Sequence, residues 1–408
     1  MWRLIITTLF MLFLVAPAYS LTVEEAVRTA LVRNPDLQAL RLEEVTANGQ
    51  LEKALLLLNN NPTIEGNISK KDRPEEEGGG AFTNYGFKLS QEFEIAGQRT
   101  VRIDIAEKEL ARVKAEIKDR ERVLIAHVKD SFTKVLALKK KGGLAREIVQ
   151  LNEELLAYTK IKFQAGDISG LEVNLAEVEL SKAKRELLLS EREYREALLL
   201  LQGFLGLSPD ISFAVHGDLP SEAPVLPDKE VLKEALSRRP DAAASILEME
   251  KTLAALKLAK KGATPNVTLA GFYDMDERKN SVGIELSIPL PLFDRKQAEK
   301  KEAQAKAEGA KIQSEGLKKA IEREVEQVFN DLATAIEELS LFKKEIIVKA
   351  MENLNLLNLA FKEGKVGFFE VRLAQKDTIE AQFAYIEAQT KTRMALIAVE
   401  KTIGGTGK

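Results

Sequence analysis

The sequence contains one helical spacing twice, and this repeat constrains the fold more than any other feature. Small or apolar residues recur at steps of three and four in two series, Val173, Ala176, Leu180, Ala183, Leu187, Ser190, Tyr194, Ala197 and Leu201, and Val371, Ala374, Thr378, Ala381, Tyr385, Ala388, Thr392, Ala395 and Val399. Each member of the second series lies 198 residues after its counterpart. A mean step of about 3.5 keeps one face of a long α-helix against a neighbour over many turns. The shared offset indicates an internal duplication rather than two coincidental amphipathic helices.

The N-terminus is typical of a secretory signal peptide. Arg3 supplies the positive charge, an apolar stretch runs from Leu4 to Val15, and Ala18-Tyr19-Ser20 is a small-x-small cleavage site. The apolar stretch, of about 12 residues, is short for a bilayer span. We therefore expect an exported mature chain that begins at Leu21, with an uncleaved N-terminal anchor as the alternative.

Composition excludes several classes of site and partner. There is no cysteine, which excludes disulfides, thiolate metal sites and a lipid-acylated N-terminal cysteine. Charged residues make up 30% of the chain and the formal net charge is −3, so both signs are interspersed without the basic excess of nucleic-acid-binding proteins. No later apolar run approaches the roughly 18 residues of a transmembrane helix. Two classes remain: a soluble exported protein, and one that enters a membrane through β-strands.

Each half of the chain also contains a pair of segments that alternate apolar and polar residues. They predict strands at about 62–72 and 82–93, and again at about 265–274 and 281–290. Such strands suit either a soluble sheet on a core or a membrane sheet with lipid on one face and water on the other. The hairpins are separated by about 170 residues of helix, and four strands are too few to enclose a lumen, so closure would need several chains.

Long helices follow each strand pair and return after a glycine-containing turn. Helical hairpins are predicted at about 98–203 and about 294–400. A single helix of about 65–70 residues is about 100 Å long, far beyond a globular core. The Gly142-Gly143 pair falls within the first long helix, and we expect a weak or bent point there rather than a helix end. The predicted organisation is a signal peptide at 1–20, a first repeat at 21–206, a Pro-rich linker at 207–228, a second repeat at 229–400 and a flexible tail at 401–408.

Several short phrases occur in both halves at equivalent places. Ala-Leu-Val-Arg-Asn-Pro-Asp at 30–36 returns as Ala-Leu-Ser-Arg-Arg-Pro-Asp at 235–241. Strand passes into helix at Gln-Glu-Phe-Glu-Ile-Ala-Gly-Gln-Arg, 91–99, and at Ser-Ile-Pro-Leu-Pro-Leu-Phe-Asp, 287–294; the turns are Phe-Gln-Ala-Gly-Asp, 163–167, and Phe-Lys-Glu-Gly-Lys, 361–365. In this combination the chain resembles the TolC-like outer-membrane efflux protein family, and within it the heavy-metal and solvent efflux members.

The resemblance implies both a fold and an assembly. The fold is mainly α with a small β part, a two-fold internal repeat of a β-hairpin plus a very long helical hairpin. Three identical chains form a 12-stranded outer-membrane β-barrel that continues into a periplasmic α-helical barrel. The implied location is the outer membrane of a Gram-negative-type cell, with a long periplasmic portion and no lipid anchor.

The implied function is a passive exit duct of a tripartite efflux system. Its partners would be a periplasmic adaptor (membrane-fusion) protein, an inner-membrane pump of the resistance-nodulation-division type and outer-membrane lipid, without nucleic acid and without a cofactor. The duct of a type I protein secretion system is an alternative within the same class. A periplasmic structural coiled-coil or adaptor protein is the alternative from a different class.

Three groups of residues are candidates for function. Polar residues that alternate with apolar ones predict a barrel lumen, formed by Asn84, Lys88, Ser90, Ser281, Glu285 and Ser287. The hairpin tips predict exposed adaptor contacts at Gly166, Asp167, Ser169, Gly364, Lys365 and Val366. The resemblance assigns Glu370 to an acidic ring that narrows the pore, whereas Leu373 occupies the family's second acidic position.

Signals for catalysis are weak. The two histidines, His127 and His216, lie in different segments and neither has a matching ligand set. Phosphate-binding loops, nucleophile elbows and zinc-protease motifs do not occur in the sequence. We therefore expect no enzymatic activity and no catalytic, metal or cofactor site.

Overall fold

The computed structural model describes residues 19–226, 235–277 and 279–404. Residues 1–18 of the predicted signal peptide, 227–228 of the predicted linker and 405–408 of the predicted tail lie outside this range. The chain divides into two compact units, one made of Met1–Pro35, Glu121–Lys229 and Glu326–Lys408, and the other of Asp36–Arg120 and Glu230–Val325. In the described parts of both, no helix is long and apolar enough to cross a membrane.

Helices dominate the chain, and two of them are very long. Their bounds are α1 Val23–Arg33, α2 Pro35–Leu55, α3 Gln98–Ala165, α4 Gly170–Leu205, α5 Ala235–Arg238, α6 Pro240–Lys261, α7 Gln297–Leu341, α8 Ile347–Lys362 and α9 Phe368–Thr402. The α3 helix has 68 residues. A capping box begins α1, because Thr22 Oγ1 accepts from the Glu25 N–H at 3.3 Å while the Glu25 carboxylate accepts from the Thr22 N–H at 2.9 Å.

The repeated 3–4 spacing forms buried helical seams. The buried seam positions are Ala176, Ala183, Ser190, Ala197 and Leu201 on α4, and Val371, Thr378, Ala381, Ala388, Thr392 and Val399 on α9. Two threonines also tie α9 to the preceding helices, since Thr378 Oγ1 donates to the Ala350 carbonyl at 3.1 Å and Thr392 Oγ1 to that of Ala335 at 3.0 Å. Small side chains at these positions allow the backbones to approach closely enough for these bonds.

The two long helices differ in the middle. The α3 helix continues through Gly142 and Gly143. Between α7 and α8 the helix instead contains a π-helical turn, Phe342–Ile346. By the 198-residue offset this turn corresponds to residues 144–148, directly after the glycine pair. The duplicated helices thus differ here, since only the second contains a π turn, a feature that is frequent at functional sites.

The predicted Pro-rich linker is not a free spacer throughout. Its strand β4, Phe213–Val215, pairs in parallel with β1, Tyr19–Leu21, and Val215 is buried. Lys139 Nζ donates to the Val215 carbonyl at 3.0 Å. Farther along, Leu219 packs with Ala137 and Ile386. Proline content signalled irregular backbone here, but the apolar residues between the prolines bind this segment to the helices. The tail differs as well, because α9 continues to Thr402.

A four-stranded antiparallel sheet forms in the second unit. Its strands are β2 Thr63–Arg73, β3 Gly80–Phe93, β5 Val267–Asp276 and β6 Lys279–Ser287, and their order is β2-β3-β5-β6. The register sets Phe87 opposite both Gly66 and Tyr273, and Tyr273 opposite Val282. The two hairpins of the internal repeat therefore join through β3 and β5, which leaves β2 and β6 as the edges.

The repeated Arg-x-Pro-Asp segments at 30–36 and 235–241 are held by different side chains in the two halves. Pro35 begins α2 and Pro240 begins α6, as expected for proline at a first helical position. Before Pro35, Asn34 Nδ2 donates to the Phe204 carbonyl at 3.1 Å. Before Pro240, Arg239 is buried and its guanidinium binds Asp241 and Glu324 at 2.7 Å and 2.6 Å. The same turn is thus held by an amide in one repeat and by an ion-paired arginine in the other.

Candidate functional site

The sheet has one apolar and one polar face. The large side chains on the apolar face are highly exposed, with Ile68 at 80%, Val282 at 80% and Ile284 at 81%. Phe87 and Leu286 share this face and are also exposed. Exposed apolar surface of this extent requires a partner, because soluble sheets place such a face on a core.

The polar face contains all six residues predicted for a lumen. The strand register places Asn84, Lys88 and Ser90 of β3 on the same side as Ser281, Glu285 and Ser287 of β6. Lys88 Nζ lies 2.8 Å from Glu285 Oε2. Asn84 Nδ2 donates to Asp276 Oδ1 at 2.6 Å. These contacts connect the two repeats across the face.

Two glycines make room for neighbours on the polar face. A Cβ at Gly86 would lie 2.1 Å from Asp274 Oδ1 and 2.3 Å from Asn67 Oδ1. A Cβ at Gly283 would lie 2.6 Å from the Phe272 ring. Sequence reasoning missed Asn67 and Asp274 as members of this surface, although their alternation in β2 and β5 is a signal that places them on it.

The two hairpin tips have the same backbone geometry. Gly166 has φ +80° and Gly364 has φ +73°, a left-handed conformation that favours glycine. After α3, the N–H of Asp167 bonds to the Lys162 carbonyl at 3.0 Å; after α8, the N–H of Lys365 bonds to the Ala360 carbonyl at 2.9 Å. Both are Schellman motifs. The predicted tip glycines therefore have a structural role.

The tip side chains do not all face outward. Asp167, Ser169 and Lys365 are exposed, but Val366 is half-buried, which corrects its prediction as an exposed contact. Val366 and its repeat counterpart Ile168 both line a groove of about 220 Å³ between the tips. Their apolar side chains favour this shelter over water.

Three further side chains connect the hairpins near the tips. Lys162 Nζ lies 5.3 Å from the Tyr158 ring centroid and 4.8 Å from that of Phe361. The two rings meet edge to face, with centroids 6.1 Å apart. Sequence reasoning missed this cluster, because Lys162 and Phe361 lie outside the repeated seam.

An ion pair also joins the hairpins, between Arg372 of α9 and Glu179 of α4. Partial burial alone would raise the pKa of Glu179, but the hydrogen bond from Lys182 and the charge of Arg372 hold it below its usual value. Glu179 is therefore an ionised partner at neutral pH.

Glu370 is exposed in the first turn of α9. Its carboxylate folds towards the preceding turn, since a Cβ at Gly367 would lie 2.9 Å from Oε2. The equivalent Glu172 completes a capping box, accepting from the Ser169 N–H at 2.8 Å. Glu370 occupies the equivalent third helical position of α9 but forms no cap there, because Gly367 is the N-cap residue and no side chain bonds to it. Across the described chain, no group of three or more metal-ligating side chains is placed to hold an ion.

Comparison with known proteins identifies the class of this chain. The model of the outer membrane efflux protein family matches residues 26–207 and 231–405, so the chain belongs to that family. It is 25% identical over 390 residues to the cobalt-zinc-cadmium resistance protein CzcC of Cupriavidus metallidurans, covering 94% of this chain and 90% of that one. It is 24% identical over 410 residues to the pyoverdine export outer membrane protein OpmQ of Pseudomonas aeruginosa, covering 94% and 85%.

Solved structures of channels share the fold. The outer membrane protein VceC of Vibrio cholerae superposes with a TM-score of 0.80 at 17% identity, covering 95% of this chain and 97% of that one. The MtrE outer membrane channel of Neisseria gonorrhoeae, in its open state, gives 0.75 at 20% identity, covering 94% and 89%. The mainly helical fold with its small sheets is the fold of these channels.

The predicted family, fold class and function are thereby confirmed. The chain is a non-enzymatic efflux channel of tripartite systems, located in the outer membrane with a periplasmic helical extension. Trimeric assembly is the family's form in such systems.

Proposed function

We propose that this channel is the outlet for divalent metal cations, supplied by a periplasmic adaptor and a pump of the resistance-nodulation-division type. The observation that carries the proposal is the similarity to CzcC, whose name specifies cobalt, zinc and cadmium and which aligns with 94% of the chain. A conduit needs weak interactions along its path rather than a tight site, because ions must leave as readily as they enter.

The charges on the polar face of the sheet support cation passage. In the proposed assembly this face lines the water-filled lumen, and in its middle each chain contributes three carboxylates, Glu65, Asp274 and Glu285, and one positive charge, that of Lys88. Lys71 and Lys279 share the face farther along the strands, where Lys71 pairs with Glu277. Three copies concentrate the acidic excess within one passage. Carboxylate rings of this kind favour cations.

The tips are the proposed contact for the adaptor. Asp167 and Ser169 on one tip, and Lys365 on the other, expose charged or polar groups beside rigid glycine turns. The opposite charges of Asp167 and Lys365 on neighbouring tips can bind a helical surface of the adaptor that carries complementary charges. Val366 supports the adaptor contact indirectly, because its side chain packs in the groove between the two tips.

Glu370 is the residue proposed to line the narrowest point of the pore. Three copies of its carboxylate around one axis would repel one another and attract cations. Leu373 on the same helix is exposed and apolar, so a second acidic ring is not part of the proposal.

The cargo is tested by tolerance assays in a host that lacks its own outlets. The chain is expressed either with a metal-exporting or with a drug-exporting adaptor–pump pair of the resistance-nodulation-division type. We expect restored tolerance of zinc, cobalt and cadmium with the first pair only. Restored drug tolerance without metal tolerance would overturn the proposed cargo.

Adaptor docking is tested by cross-linking. The chain has no cysteine, so Asp167→Cys and Lys365→Cys each introduce one reactive position. Both are expected to cross-link to the adaptor, whereas the control Lys306→Cys on α7 is not. Cross-linking at Lys306→Cys alone would contradict docking at the tips.

A further inference from the structure

The apolar face of the edge strand β6 is too short to cover the apolar layer of a membrane. On β6 the apolar face consists of Val282, Ile284 and Leu286, followed by the strand end at Ser287. Four residue steps at about 3.3 Å cover about 13 Å. The lipid-facing band of outer-membrane strands is about 25 Å tall. The paired part of this strand therefore supplies half of the required apolar height or less.

The apolar alternation continues beyond the end of β6. Ile288, Leu290 and Leu292 extend the same period-two series and are 46%, 74% and 65% exposed. Proline occupies the two alternate positions, 289 and 291, and proline has no N–H to extend the strand ladder. From Val282 to Leu290 the series spans about 26 Å of chain at the rise of a strand, or about 20 Å at a strand tilt of about 40°. At Leu292 the chain turns, because the Leu292 N–H donates to the Leu290 carbonyl at 2.8 Å.

The other edge strand has a matching apolar segment. Leu55, Leu56 and Leu57 precede β2 and are 49%, 53% and 79% exposed. The Arg99 guanidinium donates to the carbonyls of Leu55 and Leu56 at 2.8 Å and 3.1 Å, which fixes the backbone. Antiparallel order places the start of β2 and the end of β6 at the same end of the sheet.

We propose that Leu55, Leu56, Leu57, Ile288, Leu290 and Leu292 form an apolar collar that inserts among the acyl chains of the periplasm-facing leaflet. Ile288, Leu290 and Leu292 continue the apolar series of β6 and add to its height, and the leucines before β2 lie at the same end of the sheet. It also anchors, through side chains, a chain without a cysteine for acylation. Arg295 and Lys296 follow the collar after Phe293 and Asp294, at the depth where cationic side chains can meet lipid phosphates. The proposal rests on insertion of the sheet in the membrane.

Fluorescence quenching by lipids tests the collar. The single tryptophan is Trp2, so a Trp2→Phe background has none, and Leu290→Trp and Leu292→Trp each add one reporter. Each protein is reconstituted in vesicles of phosphatidylcholine brominated at shallow or deep acyl positions. Ile284→Trp reports the sheet itself, and Leu188→Trp, at a 66% exposed position on α4, reports a helix outside the bilayer.

We expect both collar reporters to be quenched as strongly as Ile284→Trp. Lipids brominated at shallow positions should quench the collar reporters more, and lipids brominated at deep positions should quench Ile284→Trp more. Quenching of both collar reporters only to the level of Leu188→Trp, with Ile284→Trp quenched, overturns the collar and assigns this surface to another copy of the chain or to water. Absence of quenching for Ile284→Trp overturns sheet insertion itself, on which the collar rests. The metal cargo is independent of either result.

Discussion

Lys162 of the first hairpin places its Nζ 4.8 Å from the ring centroid of Phe361 in the second hairpin. The ring centroid of Tyr158 lies 5.3 Å from the same ammonium, and the two rings contact each other edge to face. A cation beside aromatic rings makes a directional contact, because the ring faces carry negative potential. The contact joins the hairpins close to their tips; if the pore narrows there, as proposed, it opposes the hairpin movement that would widen the passage.

We predict that Lys162→Gln increases opening of the tip end. A cation–π contact at an exposed site is worth about 0.5–1 kcal/mol, which corresponds to a roughly 2- to 5-fold shift in the ratio of open to closed channels. Single-channel open probability in planar bilayers measures this shift. Lys160→Gln is the matched control, since Lys160 pairs with Glu177 within the first hairpin at 2.9 Å. An equal increase in both variants would contradict the assignment.

If the Arg372–Glu179 ion pair holds the hairpins in the closed position, acid should open the channel. The pKa of Glu179 is lowered, so the stabilisation is present above the carboxyl's ordinary pKa of 4.5 and is lost as the pH falls through the lower value in the folded protein. We expect open probability to rise on acidification in the wild type. In Arg372→Gln it should already be raised at neutral pH and change less with acid.

Lys182→Gln is the control for that ion pair. Lys182 also binds Glu179, at 3.0 Å, but lies on the same helix and does not connect the hairpins. Opening in Lys182→Gln to the extent seen in Arg372→Gln would mean that Glu179 acts within α4 and not as a connection to α9.

The faces of the sheet and the seams were predictable because each depends on local periodicity. Val282, Ile284 and Leu286 alternate with Ser281, Gly283 and Glu285, so one register specifies both surfaces. The contacts between hairpins were not predictable in this way. Lys162 and Phe361 are 199 residues apart in sequence, and whether they meet depends on how two hairpins coil around one another.

The half-buried Val366 contradicts its predicted exposure, and the packing of the linker was not predicted, for a related reason. A turn sequence predicts the backbone at Gly364, but it does not indicate which neighbouring side chain covers the groove. Likewise, the proline content of the linker does not indicate that Phe213 and Val215 are buried. Both features are tertiary contacts, which local signals do not specify.

The Lys88–Glu285 pair predicts opposite effects on ion selectivity. If the polar face lines the lumen, Lys88→Gln removes positive charge and increases preference for cations, whereas Glu285→Gln decreases it. Reversal potentials under a salt gradient measure both changes. Lys296→Gln, beyond the strands and paired with Glu299 at 2.9 Å, should leave the potential unchanged. Identical effects of the first two variants would argue that the pair contributes only to sheet stability.

The buried Arg239 is expected to stabilise the folded protein through its two carboxylate partners. Burial alone would lower its pKa, but Asp241 and Glu324 raise it above the usual value, so the guanidinium stays charged. Arg239→Met leaves both carboxylates without this partner and should cost about 2–3 kcal/mol, below the roughly 3–5 kcal/mol of a fully buried pair because the carboxylates are partly exposed. Arg239→Lys should recover part of the loss. Thermal unfolding followed by circular dichroism tests this, with exposed Arg238→Met as the control.

At Glu370 two substitutions separate the effect of the charge from that of the side chain. Glu370→Gln removes only the charge and keeps a side chain suited to the third helical position, whereas Glu370→Ala removes both. If three copies surround the pore, Glu370→Gln should lower cation preference and weaken block by calcium as strongly as Glu370→Ala does. Glu172→Gln, at the equivalent capping position of the first repeat, should change neither property. Should Glu370→Gln behave like Glu172→Gln in the conductance measurements, the charge of Glu370 does not control the pore and the narrow point lies elsewhere.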